Sequence, residues 1–237
     1  MARLQLGDIV AEVEFKDIKN VHLSVNPPSG RVHISAPTRM SLDIVRVFAI
    51  SKLSWIRQQQ KSLRQQARET PREYLPKESH YVWGKRYLLR VREHDAPPFV
   101  ELTPRRLSLQ VRTNTNREKR AKIVEKWYRH QVRNAAQPLI AKWERKLGVK
   151  VERLYVQRMK TRWGSCNSTA GTIRLNSELG KKPRECLEYI VVHEMVHLLE
   201  PTHNARFVAL MDRYMPHWQF HRATLNRLPV RREEWMY

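Results

Sequence analysis

A chain of 237 residues that is 41% hydrophobic has room for one large domain or two small ones with a true core, which excludes a disordered chain and fits a folded, soluble protein. The stretch Met1-Ala-Arg-Leu-Gln-Leu-Gly-Asp-Ile-Val holds no apolar run for a signal sequence. Nor does any uncharged apolar run approach the ~18 residues of a membrane span, so the expectation is a cytoplasmic protein with no membrane partner. The formal charge of +22 points to a polyanionic partner.

In chain order, the first third reads as strands. Residues 9–15 alternate, and residues 21–25 and 32–35 flank the turn Pro27-Pro28-Ser29-Gly30 as a hairpin. A long helix follows, capped by Ser41 or Thr38, with Leu42, Val45, Phe48, Leu53 and Ile56 on its apolar side, and it runs to about Arg68. Residues 69–78, with Pro71 and Pro76, form a connector, and strands return at 81–83, 87–91 and 107–111. From Asn116 the pattern is helical, with Ile123, Trp127, Ala135, Leu139, Trp143 and Leu147 inward, Pro138 as a kink point and Gly148 at the stop. Strands at 151–156 and 172–175 lead into a buried helix from Pro183, and a closing helix carries Phe207, Leu210, Met211 and Tyr214. The class is α+β, with a strand-rich region over residues 1–115 and a catalytic region over 116–237; no internal repeat is visible.

Basic residues recur at helical spacing in two places. Arg57, Lys61, Arg64 and Arg68 form one stripe, and Lys122, Lys126, Arg129 and Arg133, with Lys119 before them, form another. Each is either a solvated face or a nucleic-acid-binding surface whose affinity falls with salt. The two cysteines, Cys166 and Cys186, make no disulfide framework and are expected as free thiols in a reducing compartment.

The sharpest chemistry is His193-Glu194-Met195-Val196-His197. Histidines four apart share a helix face about 6 Å from each other and can reach one ion, while the intervening glutamate can take a proton from water that the ion activates. Leu187, Ile190, Val191, Val196 and Leu198 make this a buried helix, where two histidines and a carboxylate need partners. A catalytic zinc needs a third protein ligand. His203 leads, because Glu200-Pro201 ends the helix and lets the chain swing back; His217 and His221 are the histidine alternatives, and Glu200, Asp212, Glu233 and Glu234 the acids. The spacing matches the metzincin pattern except that glutamate stands at position 200 where glycine is expected.

With that motif, the segments Arg162-Trp163-Gly164-Ser165-Cys166, Ile173-Arg174-Leu175-Asn176 and the residues from His193 to Phe207 resemble the YgjP-like family of metal-dependent hydrolases, relatives of the SprT-like and WLM zinc metallopeptidases. The resemblance implies a minimal zincin-like core from about residue 117 and Zn2+ held by His193, His197 and His203. It also implies Glu194 as catalytic base, and a cleft strand corresponding to residues 172–176. An exposed edge strand there would hold an extended peptide, with Arg162, Trp163, Ile173, Leu175, Asn176 and Tyr214 as substrate-binding residues; Trp163-Gly164-Ser165-Cys166 reads as a turn, and Cys166 as a structural thiol. Tyr214, His217 and His221 are the candidates for stabilising an oxyanion.

The leading function is a zinc peptidase acting on protein or peptide. A first alternative is a metal-dependent nucleoside triphosphate pyrophosphohydrolase, an activity suggested for the family, in which Arg158, Lys160 and Arg162 would share one face of an extended backbone toward phosphate. A second is a basic nucleic-acid-binding protein with accessory peptidase activity on DNA-associated proteins, for which the SprT-like relatives and the association of similar genes with restriction-modification systems speak.

Overall fold

The computed structural model of the chain describes residues 2–26, 30–65, 68–69 and 71–231. Two compact units form: one runs to Thr70 and is rejoined from Pro229, the other spans Pro71–Leu228. The boundary expected near residue 115 falls inside the second unit.

In the first unit, β1 (Ala2–Leu6), β2 (Ile9–Lys16), β3 (His22–Asn26) and β4 (Arg31–Pro37) form a sheet of order β1-β2-β4-β3. Alternation sends Leu4, Ala11, Val13, Val32 and Ile34 inward, onto Val45, Ala49 and Ile56 of the following helices. The expected β3–β4 hairpin forms, from His22 opposite Ser35 to Asn26 opposite Arg31; its Pro27, Pro28 and Ser29 lie outside the described residues. The single long helix is instead two, α1 (Leu42–Ser51) and α2 (Leu53–Gln65). Ser41 caps α1 by accepting from the Ile44 N–H, as expected. Near its end Ser51 Oγ donates to the Phe48 carbonyl at 2.8 Å, a local bond that competes with the helical ladder just before the break at Lys52. A short β5 (Arg68–Glu69) follows.

The second unit opens with β6 (Ser79–Val82), β7 (Lys85–Glu93), β8 (Phe99–Leu102) and β9 (Arg106–Val111), in the order β6-β7-β9-β8. Pairing along both four-stranded sheets runs antiparallel, parallel, antiparallel, so the first sheet's topology is repeated in the second. No sequence periodicity announced this.

Helix α3 (Arg117–Leu147) is capped as expected by Asn116, which accepts from the Lys119 N–H, and by Gly148 in the left-handed region at φ +67°. It continues through the exposed Pro138. Its buried row is Val124, Tyr128, Val132, Ala136, Ile140, Trp143 and Leu147, one residue out of phase with the expected Ile123, Trp127, Ala135 and Leu139, which sit half-buried on the flank. Two cores cause this. Val124 and Tyr128 pack with Leu89, Leu107 and Leu109 of the sheet, whereas Val132 onward belongs to the core beneath the histidines.

That core is completed by β10 (Arg153–Gln157), β11 (Gly164–Asn167), β12 (Thr172–Asn176), a 3₁₀ turn at Ser177–Lys181, α4 (Arg184–Val196), α5 (Ala205–Tyr214) and α6 (Trp218–Arg227). The small sheet has the order β10-β12-β11, parallel then antiparallel. Helix α4 is apolar nearly all round and is fixed to α3 through Glu188, which accepts from Trp143 Nε1 at 2.9 Å and from Lys142 Nζ at 2.8 Å. Finally β13 (Val230–Arg231) runs parallel to β5 within the first unit. No described helix is long and apolar enough to cross a membrane.

Candidate active site

Helix α4 ends at Val196, and the turn behind it brings His203 to its face. Glu200 organises that turn. Its carboxylate accepts from Thr202 Oγ1 at 2.9 Å and from the Thr202 N–H at 3.3 Å, and its own carbonyl lies 3.0 Å from His197 Nδ1. Since a carbonyl only accepts, Nδ1 of His197 carries the proton and Nε2 presents its lone pair to the cluster. Asn204 then starts α5 by accepting from the Phe207 N–H at 3.0 Å. Phe207 is the floor of the site, with its ring centroid 4.6–5.0 Å from all three imidazoles.

His193, His197 and His203 offer ligand atoms within 4.8 Å of one another, and the Nε2 atoms of His193 and His203 stand 3.0 Å apart. Tetrahedral bonds of 2.0–2.1 Å would set such nitrogens about 3.3 Å apart, so the spacing suits one ion. Burial drives the His193 imidazole down to about 3, with the other two histidines and Arg222 adding to it, and His203 is lowered in the same direction. Both are therefore neutral at pH 7, the form that binds metal. Nδ1 of His193 is buried and has no hydrogen-bond partner among the described residues. Three imidazoles on one point, beside a carboxylate, fit a divalent metal.

Glu194 is 5% exposed and faces β11. A Cβ on Gly164 would lie 2.5 Å from its Oε1 and 2.8 Å from its Cγ, so the carboxylate rests against bare backbone. Burial pushes the carboxyl up to about 8, with Arg162 pulling the other way. A cavity of about 450 Å³ is lined by Arg162, Gly164, Ser165, Cys166, His193, Glu194, His197 and His203, among others.

The remaining expected residues are placed as follows. Arg162 lines the cavity. Ile173 and Leu175 do not: both are fully buried, because β12 is the central strand of its sheet and not an edge. The edge beside the histidines is β11, in the segment expected as a turn. Asn176 is 4% exposed and structural; its Nδ2 donates to the Met159 and Arg162 carbonyls at 2.9 and 2.8 Å, and its Oδ1 accepts from the Met159 and Glu178 N–H groups. Trp163 packs on the core with Lys182 Nζ 5.7 Å from its ring. Tyr214 is half-buried against the core, and neither it nor His217 nor His221 lines the cavity.

Arg158, Lys160 and Arg162 do not form one row, since residues 158–163 bend rather than extend and Arg158 turns to Glu125 on α3 at 3.5 Å. Cys166 lines the cavity outside the metal cluster, its thiol pushed up to about 11 by burial and by Glu194, as befits an inert group. Arg57, Lys61 and Arg64 are exposed on α2, with Arg57 bonded to Asp8 at 3.0 Å; the side chain of Arg68, like Glu233 and Glu234, lies outside what is described. Lys122, Lys126, Arg129 and Arg133 are exposed along α3. One site residue had no motif to reveal it, Arg222, whose charge reaches His193 and His203 from α6; Glu200, an acid alternative for the third ligand, instead shapes the turn and stands outside the metal cluster.

Replacing Asn176 by Ala leaves two carbonyls of the 159–162 loop without their donor. The expected cost is about 2–4 kcal/mol in urea unfolding, together with a fall in activity as Arg162 loses its anchor.

No curated protein sequence matches the chain. Among solved structures it is similar to the metallopeptidase zymogen abylysin of Pyrococcus abyssi, at 20% identity over 38% of this chain and 90% of that one, with a TM-score of 0.36. The zymogen jannalysin of Methanocaldococcus jannaschii gives 18%, 38%, 87% and 0.35. The YgjP-like metallopeptidase domain matches residues 19–228, taking in β3 and β4 of the first sheet, all of the second sheet and the histidine cluster, and the chain belongs to that family of metal-dependent hydrolases.

Proposed function

We propose that the protein is a zinc-dependent peptidase in which His193, His197 and His203 hold the ion and Glu194 is the general base. The observation that carries this is the position of β11, an edge strand whose Gly164, Ser165 and Cys166 line the same cavity as the three histidines and Glu194. A free strand edge offers main-chain donors and acceptors to an extended polypeptide and would lay one peptide bond across the histidines. The nucleotide alternative loses its phosphate grip, because of its three cations only Arg162 lines the cavity.

When bound, zinc supplies a Lewis acid that polarises a carbonyl and lowers the pKa of water from ~15.7 to about 7. Glu194 takes the proton of the attacking water and passes it to the departing amine. Burial raises its pKa, whereas the charge of a bound dication would favour the ionised carboxylate that accepts the first proton. Arg162, on the cavity wall, is the cation placed to steady negative charge there.

Stripping metal with a chelator is expected to abolish casein or peptide hydrolysis, with zinc restoring it. His197→Ala should lose stoichiometric zinc by elemental analysis and the activity with it. Undiminished hydrolysis by metal-free protein, or turnover of nucleoside triphosphates and not of peptides, would overturn the reading.

A further inference from the structure

The sheet β6-β7-β9-β8 presents to solvent a face for which peptide hydrolysis has no use. Along β7, alternation turns Leu89 inward and Leu88, Arg90 and Arg92 outward. Register sets Arg90 opposite Ser108 and Leu88 opposite Arg106 on β9, and Arg92 opposite Gln110, which itself faces Phe99 on β8. At the other margin Tyr81 of β6 lies opposite Arg86. A cavity of about 410 Å³ opens between Arg90, Arg92, Arg105 and Arg106, with Glu101 the only acid in its lining. Phe99, Leu88 and Tyr81 are 49, 45 and 41% exposed.

A polar outer face is usual for an antiparallel-rich sheet, but this one departs from the usual in two ways. None of Arg86, Arg90, Arg92, Arg105 and Arg106 has an ion pair among the described residues, and the five cluster on one face and its rim. The N-terminal sheet supplies the comparison. With the same strand order and pairing, its β2 turns Glu12 and Glu14 outward, and Glu14 pairs with Lys16 at 2.8 Å and approaches His33 at 3.5 Å. The topology therefore does not demand arginine on this face. Clustered guanidinium groups repel one another until an anion arrives, and half-exposed aromatic rings among them add planar apolar surface.

We propose that the outer face of this sheet binds single-stranded nucleic acid. Arg90 and Arg92, one pleat repeat or about 7 Å apart, take successive phosphates, while Phe99 and Tyr81 at the two margins stack on unpaired bases. A duplex, whose bases are already stacked, would satisfy the arginines and leave the rings idle. This surface is independent of the peptidase chemistry and does not stand or fall with it.

The test is fluorescence anisotropy of the full-length protein with labelled single-stranded DNA and RNA, and with duplex DNA, across a salt titration. Single strands should bind more tightly than duplex, with log affinity falling linearly in log salt. The double variant Arg90→Ala/Arg92→Ala should bind more weakly and lower the salt slope by about 1.4, near 0.7 for each phosphate lost. Phe99→Ala should weaken binding by about 5-fold or more with the slope unchanged, since stacking carries no charge. Both variants should keep their metal content and their circular dichroism. The proposal is overturned if the wild type binds no nucleic acid, or if the arginine pair can be removed without effect. It is equally overturned if Lys122→Glu/Lys126→Glu on α3 abolishes binding while the sheet variants do not, or if duplex binds as well as single strands and Phe99→Ala is silent.

Discussion

Glu194→Gln should reduce peptide hydrolysis by about 10²–10⁴-fold, the range that a positioned general base contributes, while elemental analysis finds the zinc unchanged. The change is close to isosteric, so the contact with Gly164 survives, as does the α4 backbone that aims His193 and His197. What disappears is the capacity to accept a proton at that point. Because Glu194 is 5% exposed, bulk water has little access to do the work in its place. A variant with full zinc and activity within a few-fold of wild type would remove Glu194 from the mechanism.

Gly164→Ala should be nearly as damaging, at a residue with no chemistry of its own. Its Cβ would come within 2.5 Å of Oε1, 2.8 Å of Cγ and 2.9 Å of Cδ of Glu194, well inside van der Waals contact. Neither backbone can yield easily, since β11 is hydrogen-bonded to β12 and α4 is buried on most of its faces. The carboxylate must rotate away, and a misplacement of ~1 Å at a catalytic group costs about 10²-fold. Overpacking should also cost about 1–3 kcal/mol in urea unfolding. The expected signature is a large fall in kcat with the zinc content kept; an alanine variant as active as wild type would mean that the carboxylate does not work from this position.

The legible part of this site was the part written on one helix. His193, Glu194 and His197 follow from the helical repeat, and His203 from the Pro201 break, because in both cases the geometry is local. The boundaries of α3 were legible for the same reason, through the cap at Asn116 and the stop at Gly148. What failed required knowledge of neighbours. Gly164-Ser-Cys-Asn has none of the β-branched or aromatic residues that favour strands, and it becomes one only because β12 offers a ladder. That made β12 central, and with it buried Ile173, Leu175 and Asn176, which had been expected at the substrate. The buried row of α3 lies one residue from the Ile123, Trp127, Ala135 and Leu139 that periodicity alone points to. Enclosure between two cores instead selects the row of Val124, Tyr128, Val132 and Ala136. Arg158, Lys160 and Arg162 alternate on paper, but the loop bends where Asn176 ties its carbonyls.

Helix α3 belongs to two cores at once, and this bears on how such a chain can be inherited in pieces. A crossover near residue 115 would keep the histidine motif whole yet strand Val124 and Tyr128, whose neighbours Leu89, Leu107 and Leu109 lie upstream. The connector at Pro71 is where one compact unit gives way to the next. Recombination that respects packing therefore carries the arginine-faced sheet and the histidine cluster together, as a single heritable module.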